Sequence, residues 1–157
     1  PTDLTAFAAS GTVLLAVTST PAAPVSRTPS MRVSLTTATG MPVYDSGSWI
    51  SQFLAVARPG LLKSAGTNLP PRSVAVIETF GSRFLFAGLG FGGLAVFDIS
   101  RPEAVRWAGF FELFDDQNQP FTADALMAVP RVQTPDGMDW LIAYDAAGQR
   151  THLFHLR

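Results

Sequence analysis

Ser73-Val-Ala-Val-Ile-Glu-Thr79 begins the stretch that decides the fold, and three similar runs follow it: Arg83-Phe-Leu-Phe-Ala-Gly88, Leu94-Ala-Val-Phe-Asp-Ile-Ser100 and Val105-Arg-Trp-Ala-Gly-Phe-Phe111. Each run is short and rich in β-branched or aromatic residues, and residues that favour turns separate the runs. Four such strands in succession predict an antiparallel meander, which is the unit of a β-propeller blade.

The same alternation of strand and turn continues on both sides of this central blade, which we place at residues 73–111. We predict one blade before it, over residues 4–46, and a shorter one after it, over residues 123–157. Repetition of one strand–turn unit at a spacing of tens of residues is typical of propellers and solenoids. The sequence therefore predicts an all-β fold, a β-propeller fragment of about three blades in which two have four strands and the last has three.

Residues 47–72 lack this alternation, so we predict a long loop insertion there, of the kind that often carries binding residues. Within it, residues 51–57 fit either a strand or a helical turn. Elsewhere the chain gives little support for helix, because no window keeps an apolar period of 3.6 residues for long.

The composition excludes some functions and indicates a covered surface. Apolar residues make up 47% of the 157 residues and charged residues only 15%, against roughly 25% charged in an average soluble domain. With a net charge of −1, the chain lacks the basic surface that nucleic-acid binding requires. Its uncharged stretches are broken by proline or are too short for a membrane span, and there is no cysteine for a disulfide or a thiolate metal site.

The end of the last blade predicts a binding edge. Thr151 to Leu156 would form its third and outermost strand, with no fourth strand beside it, and proteins normally cover such an edge. Since the chain starts at Pro1, without a methionine or a charged leader, we expect a processed chain or a fragment. The expected partners are the remaining blades of the propeller or a partner subunit that pairs with residues 151–156 by adding a strand.

Three segments, in this order, resemble the choice-of-anchor I family of exported β-propellers, which includes the mesenchyme-specific cell-surface glycoproteins. They are Ala38-Thr-Gly-Met-Pro-Val-Tyr-Asp-Ser-Gly47, residues 74–109 and residues 125–156. Residues 94–102 are also similar to the shorter LVIVD-type repeat of bacterial surface proteins. The resemblance covers roughly residues 31–157 and implies the C-terminal part of a larger propeller that is extracellular, periplasmic or at the cell surface.

The resemblance also implies a candidate site at one mouth of the propeller channel. The family has a Pro-Glu-Gly element where each late inner strand begins, and this chain has Pro71-Arg72-Ser73 and Ala123-Asp124-Ala125 instead. Arg72, Asp124 and Asn68 are therefore the candidate binding residues. An ion pair between Arg72 and Asp124, or a solvated rim, is the preferred interpretation over contact with a ligand.

The other polar residues have simpler interpretations. Asp98 and Asp45 are expected to accept backbone N–H groups in turns, and Gly88 to Gly93 to form a hairpin rather than a phosphate loop. His152 and His155 should point to opposite faces of the last strand. Asp115 and Asp116 are weak candidates for calcium binding, in what we interpret as a solvated loop. No catalytic residues and no cofactor are predicted, although Ca²⁺ stays possible.

Two functional hypotheses follow. The first is a non-catalytic propeller module with a structural or protein-interaction role, completed by further blades from the parent chain or a partner. The second rests on the resemblance, because some family members are described as phosphatases: a Ca²⁺-dependent phosphoesterase-like or cation-binding surface protein. The residues themselves favour the first, but they leave open whether the chain is an enzyme.

Overall fold

The structure, a computed structural model, describes the backbone of residues 3–10 and 13–19 and the whole of residues 32–37, 39, 41–61 and 71–157. It is built from three antiparallel sheets. Sheet one contains β1 (Asp3–Ser10), β2 (Val13–Ser19), β3 (Ser34–Thr37) and β4 (Pro42–Asp45). Sheet two contains β5 (Pro71–Thr79), β6 (Ser82–Leu89), β7 (Gly93–Asp98) and β8 (Arg106–Glu112). Sheet three contains β9 (Ala125–Val129), β10 (Asp139–Asp145) and β11 (Arg150–Leu156).

Each sheet is a meander in which neighbouring strands in sequence are paired, so the predicted sequence of blades is confirmed. The first strands of the three sheets lie side by side, with β5 in contact with both β1 and β9. This is the arrangement of the inner strands around a propeller axis. The fold is therefore an all-β propeller fragment with two four-stranded blades and one three-stranded blade.

Sheet two is buried on both faces, which explains why its strands are nearly continuous in apolar residues. One face packs on sheet one, in a core with the fully buried side chains of Leu35, Leu85 and Phe97. The other face packs on sheet three, in a core that includes Phe86, Val96, Leu94, Ile77 and Leu141. Because successive side chains of a strand point to opposite faces, Leu85 and Phe86, like Val96 and Phe97, serve the two cores in alternation.

The region between the first two sheets differs from the prediction of a plain loop. It contains the helix α1 (Trp49–Ala57) and a further helical turn at 59–61. Ile50 and Leu54, four residues apart, are fully buried in the core between sheets one and two. The burial of these two side chains stabilises the helix. Its sequence did not reveal it, because nine residues make too few turns for an apolar period of 3.6 residues to be recognised. Of the two alternatives for residues 51–57, the helical one is correct.

Two single-turn 3-10 helices complete the described elements, at Pro102–Ala104 and Arg131–Gln133. The first begins with Pro102 and ends one residue before β8, and the second follows Pro130, one residue after β9. The second one matters for the candidate sites, because it brings the guanidinium of Arg131 next to Asp139, at the end of the interface where the inner strand β5 finishes.

Candidate functional site

The predicted binding residues Arg72 and Asp124 form an ion pair at the start of the inner strands. The Arg72 Nη1 atom lies 2.8 Å from Asp124 Oδ1, with side-chain exposures of 53% and 21%. Arg72 falls where the register between β5 and β6 shifts, and such a bulge redirects a side chain. Of the two preferred interpretations, an ion pair or a solvated rim, the ion pair is therefore present.

Asp124 has little capacity left for a ligand. Its second oxygen, Oδ2, accepts a hydrogen bond from the backbone N–H of Ala146 at 3.0 Å, and its own N–H donates to the carbonyl of Tyr144. The carboxylate thus joins β5, the start of β9 and the turn after β10. The third predicted residue, Asn68, lies outside the described residues.

Sheets two and three approach each other closely beside this ion pair. The Ser73 hydroxyl donates to the carbonyl oxygen of Ala123 at 2.6 Å in a buried position. Gly88 on β6 makes the approach possible, since a Cβ atom there would lie 2.8 Å from the same carbonyl oxygen and 2.3 Å from Ser73 Oγ. This end of the interface between the blades is therefore buried and tightly packed.

A buried carboxylate joins the same two sheets at the opposite end of the inner strands. Asp139 is 3% exposed; it accepts hydrogen bonds from the Thr79 hydroxyl and, at 2.6 Å, from the backbone N–H of Arg131. The Arg131 guanidinium lies 3.3 Å from its second oxygen. Burial alone raises the pKa of Asp139, but the hydrogen bonds from Thr79 and Arg131, together with the Arg131 charge, outweigh burial and lower the pKa below its usual value.

The hairpin tip next to this carboxylate contributes a second contact between the blades. Phe80 has a φ of 53° and Gly81 a φ of 74°, the left-handed conformation of a tight hairpin that glycine or asparagine usually adopts. The Arg131 guanidinium lies 5.5 Å from the centre of the Phe80 ring, a distance at which a cation–π contact is favourable. Sequence reasoning missed this cluster, because only the fold brings Thr79, Arg131 and Asp139 together.

The aspartates predicted to stabilise turns do so. Asp45 Oδ1 accepts the N–H of Gly47 at 2.7 Å, and Asp98 Oδ1 accepts both the hydroxyl and the N–H of Ser100, at 2.6 and 2.9 Å. The Ser100 hydroxyl is the main reason that the pKa of Asp98 lies below its usual value. The glycine-rich segment between β6 and β7 is the predicted hairpin.

Asp116 is 84% exposed, as expected for the predicted solvated loop, whereas Asp115 is largely buried. Asp115 is 14% exposed and accepts the N–H groups of Gln117 and Gln119 at 2.9 and 2.7 Å, which fold the loop back on itself. The Arg150 guanidinium lies 3.4 Å from Asp115 and 3.6 Å from Asp116. Both carboxylates, which were the candidates for calcium binding, are therefore paired with an arginine side chain. Among residues 32–61 and 71–157, apart from those left undescribed, no group of three or more acidic or histidine side chains is placed to hold a metal ion.

The two histidines point to opposite faces of β11, as predicted. The ring of His152 stacks on that of Phe121, with the centres 3.9 Å apart, on the face that packs on sheet two. His155 Nε2 lies 3.4 Å from Asp136 Oδ2 on the other face, where the same carboxylate accepts the indole N–H of Trp140 at 3.0 Å. They form no shared site.

Sheet three has a second face, which we call the outward face. Its residues stand in three cross-strand rows, each with its β10 residue in the middle: Ala125–Tyr144–Thr151, Met127–Ile142–Leu153 and Val129–Trp140–His155. None of the nine is an acidic residue, lysine or arginine. Met127, Leu153 and Tyr144 are 55%, 48% and 43% exposed. A contiguous apolar surface of this kind marks an interaction site more often than a scatter of single apolar residues does.

The outer edge of sheet three is also open. β11 pairs with β10 along its whole length, and no strand in the described part of the chain pairs with its other side. Sheets one and two each have a fourth strand in that place. The backbone groups of β11 that point away from β10 are therefore free to pair with an added strand.

Comparison with known proteins adds no identification: no protein-family model matches the chain, and neither does any curated protein. The choice-of-anchor I resemblance therefore stays a hypothesis. No helix among the described residues is long and apolar enough to cross a membrane.

Proposed function

We propose that this chain is a non-catalytic β-propeller module with a structural or protein-interaction role. Further blades, from the parent chain or from a partner subunit, complete it at sheet three. The observation that carries the proposal is the open side of sheet three, where an unpaired strand edge and an uncharged apolar face lie together.

Sheet two provides the internal comparison. It has four strands and a neighbouring sheet on both faces, and both apolar cores found among the described residues lie against it. Sheet three has the same type of face on its outward side, but the described residues supply no sheet to cover it. Removing apolar surface from water contributes roughly 25 cal/mol per Å² to the free energy of binding. A partner sheet would therefore gain most of its binding free energy by covering the outward side of sheet three.

The polar clusters support a structural role. Asp124, Asp139 and Asp115 each accept hydrogen bonds from neighbouring backbone or side-chain groups and lie beside an arginine. Such carboxylates stabilise contacts between blades and within loops, and a divalent cation would have to displace an arginine to reach them. The resemblance to the choice-of-anchor I family supports placing the module outside the cytoplasm or at the cell surface.

The alternative function, a Ca²⁺-dependent phosphoesterase-like or cation-binding surface protein, rests on that resemblance alone. Hydrolysis of p-nitrophenyl phosphate by the purified chain, with Ca²⁺ and with a chelator, separates the two. The proposal expects no turnover above the buffer rate under either condition. Turnover that Ca²⁺ supports and the chelator abolishes, and that follows the protein through a second purification, would overturn it.

A further inference from the structure

The outward face of sheet three also indicates what kind of partner it fits. We propose that it binds a second copy of this chain, sheet against sheet. This inference rests on the proposed function and names the partner for its open side.

The outward face continues the type of interface that already joins the three sheets. Sheets one, two and three stack face to face through apolar side chains, and the outward face offers the next layer of the same kind. Two stacked sheets lie about 10 Å apart with their side chains interdigitated. An antiparallel sheet with an uncharged apolar face is therefore the matching partner, and sheet three of a second copy has that chemistry.

The outward face is also compatible with a second copy of itself. An isologous contact brings each residue of the patch against the same patch of the other copy, so a charged patch would repel itself. The nine residues of the outward face carry no acidic side chain, lysine or arginine. Among the described residues, polar interactions lie at the two ends of the face: Asp136 pairs with Trp140 and His155 at one end, and Arg150, next to Thr151, pairs with Asp115 and Asp116 at the other.

The register of the strands indicates how two copies would meet. Ile142 is in the middle of the central row, with Met127 on one side and Leu153 on the other. A two-fold axis parallel to β10 places Ile142 against the partner's Ile142 and Met127 against the partner's Leu153. The bulkiest aliphatic side chains then fill the centre of the contact, while Ala125 and Thr151 lie towards one end.

The size of the face sets the expected affinity. Three strands about 4.8 Å apart, with five residues at about 3.4 Å each, cover roughly 14 by 17 Å. The accessible area buried on each copy is then several hundred Å², below the roughly 800 Å² per partner of a standard interface. We therefore expect a weak dimer with a dissociation constant in the micromolar range.

Sedimentation velocity of the 157-residue chain tests the inference over two decades of concentration around that range. The matched variants are Leu153→Lys and Met127→Lys, which put a charge on the face at half-exposed positions where the fold tolerates it. The control is Val56→Lys, since Val56 is 86% exposed on α1, away from sheet three. Circular dichroism and the melting temperature verify that all three variants are folded.

We expect reversible dimerisation of the wild type, a dissociation constant raised at least about tenfold by each face variant, and no comparable change in the control. A wild type that stays monomeric over the whole range overturns pairing with a second copy, and so does association that the face variants leave unchanged. In either case the proposed function stands, with the parent chain or a different partner subunit as the source of the next blade. A different result would contradict the proposed function itself: slow amide exchange along all of β11 in a monomeric chain.

Discussion

Replacing Asp139 by asparagine tests the physical account of the interface between sheets two and three. Asparagine has the same shape, but it is neutral and keeps one acceptor oxygen in place of two. It therefore loses the charge that strengthens the hydrogen bonds from the Thr79 hydroxyl and the Arg131 N–H. A hydrogen bond to a charged group contributes about 1.5–3 kcal/mol, and the ion pair adds less than about 1 kcal/mol because the Arg131 side chain is half exposed.

We therefore expect Asp139→Asn to lower the free energy of unfolding by about 2–3 kcal/mol at pH 7. At roughly 2–4 °C per kcal/mol for a chain of this size, the melting temperature falls by about 4–12 °C. Thermal unfolding followed by circular dichroism measures the shift. Thr79→Val is the matched partner variant, because it removes the donor without changing the shape, and the double variant gives the coupling energy between the two residues.

The pH dependence of stability gives an independent measurement. The pKa of Asp139 is lowered in the folded state, so its stabilising contribution is complete above the unfolded-state pKa of about 3.9. It is lost as the pH falls through the folded-state pKa. The wild type should therefore lose stability more steeply than Asp139→Asn below about pH 4. Equal melting temperatures at pH 7, or parallel loss of stability in acid, would refute this role for the carboxylate.

Three further substitutions test the core, the close approach and the ion pair between sheets two and three. Leu141→Ala empties a position that is 1% exposed and should cost about 2–5 kcal/mol in urea unfolding; a loss under about 1 kcal/mol would mean that the core between sheets two and three is not packed as described. Gly88→Ala puts a methyl group 2.8 Å from the Ala123 carbonyl oxygen and should destabilise the fold by about 1–3 kcal/mol, whereas an unchanged midpoint would mean that the sheets are further apart. Arg72→Glu replaces the ion pair with Asp124 by two carboxylates and should raise the affinity for Ca²⁺ in calorimetric titration; no change would indicate that further ligands are missing at this mouth.

Most of the fold could be predicted because its information is local. Strands such as β10, from Asp139 to Asp145, are set by runs of β-branched and aromatic residues between turn residues, and these signals need no tertiary contact. The order of the sheets then follows from sequence order, since consecutive strands pair in a meander. The helix α1 could not be predicted firmly, because its stability comes from burying Ile50 and Leu54 between two sheets rather than from its own sequence.

The candidate sites were less predictable because they depend on residues far apart in the chain. The turn aspartates Asp45 and Asp98 bond to residues two positions away, so local reasoning found them. The Asp139 cluster joins residues up to 60 positions apart, and the outward face of sheet three emerges only from the register of β9, β10 and β11. Asp115 was misjudged for the same reason: its partner Arg150 is 35 positions away.

Amide hydrogen exchange along Thr151 to Leu156 in the purified chain, combined with light scattering to establish its oligomeric state, tests whether sheet three is completed from outside. We expect slow exchange in the central strand β10, which is bonded on both sides. The amides of β11 that do not bond to β10 should exchange fast, because no strand in the described part of the chain covers them. A monodisperse monomer in which every amide from Thr151 to Leu156 exchanges as slowly as those of β10 would contradict the claim that sheet three is completed from outside.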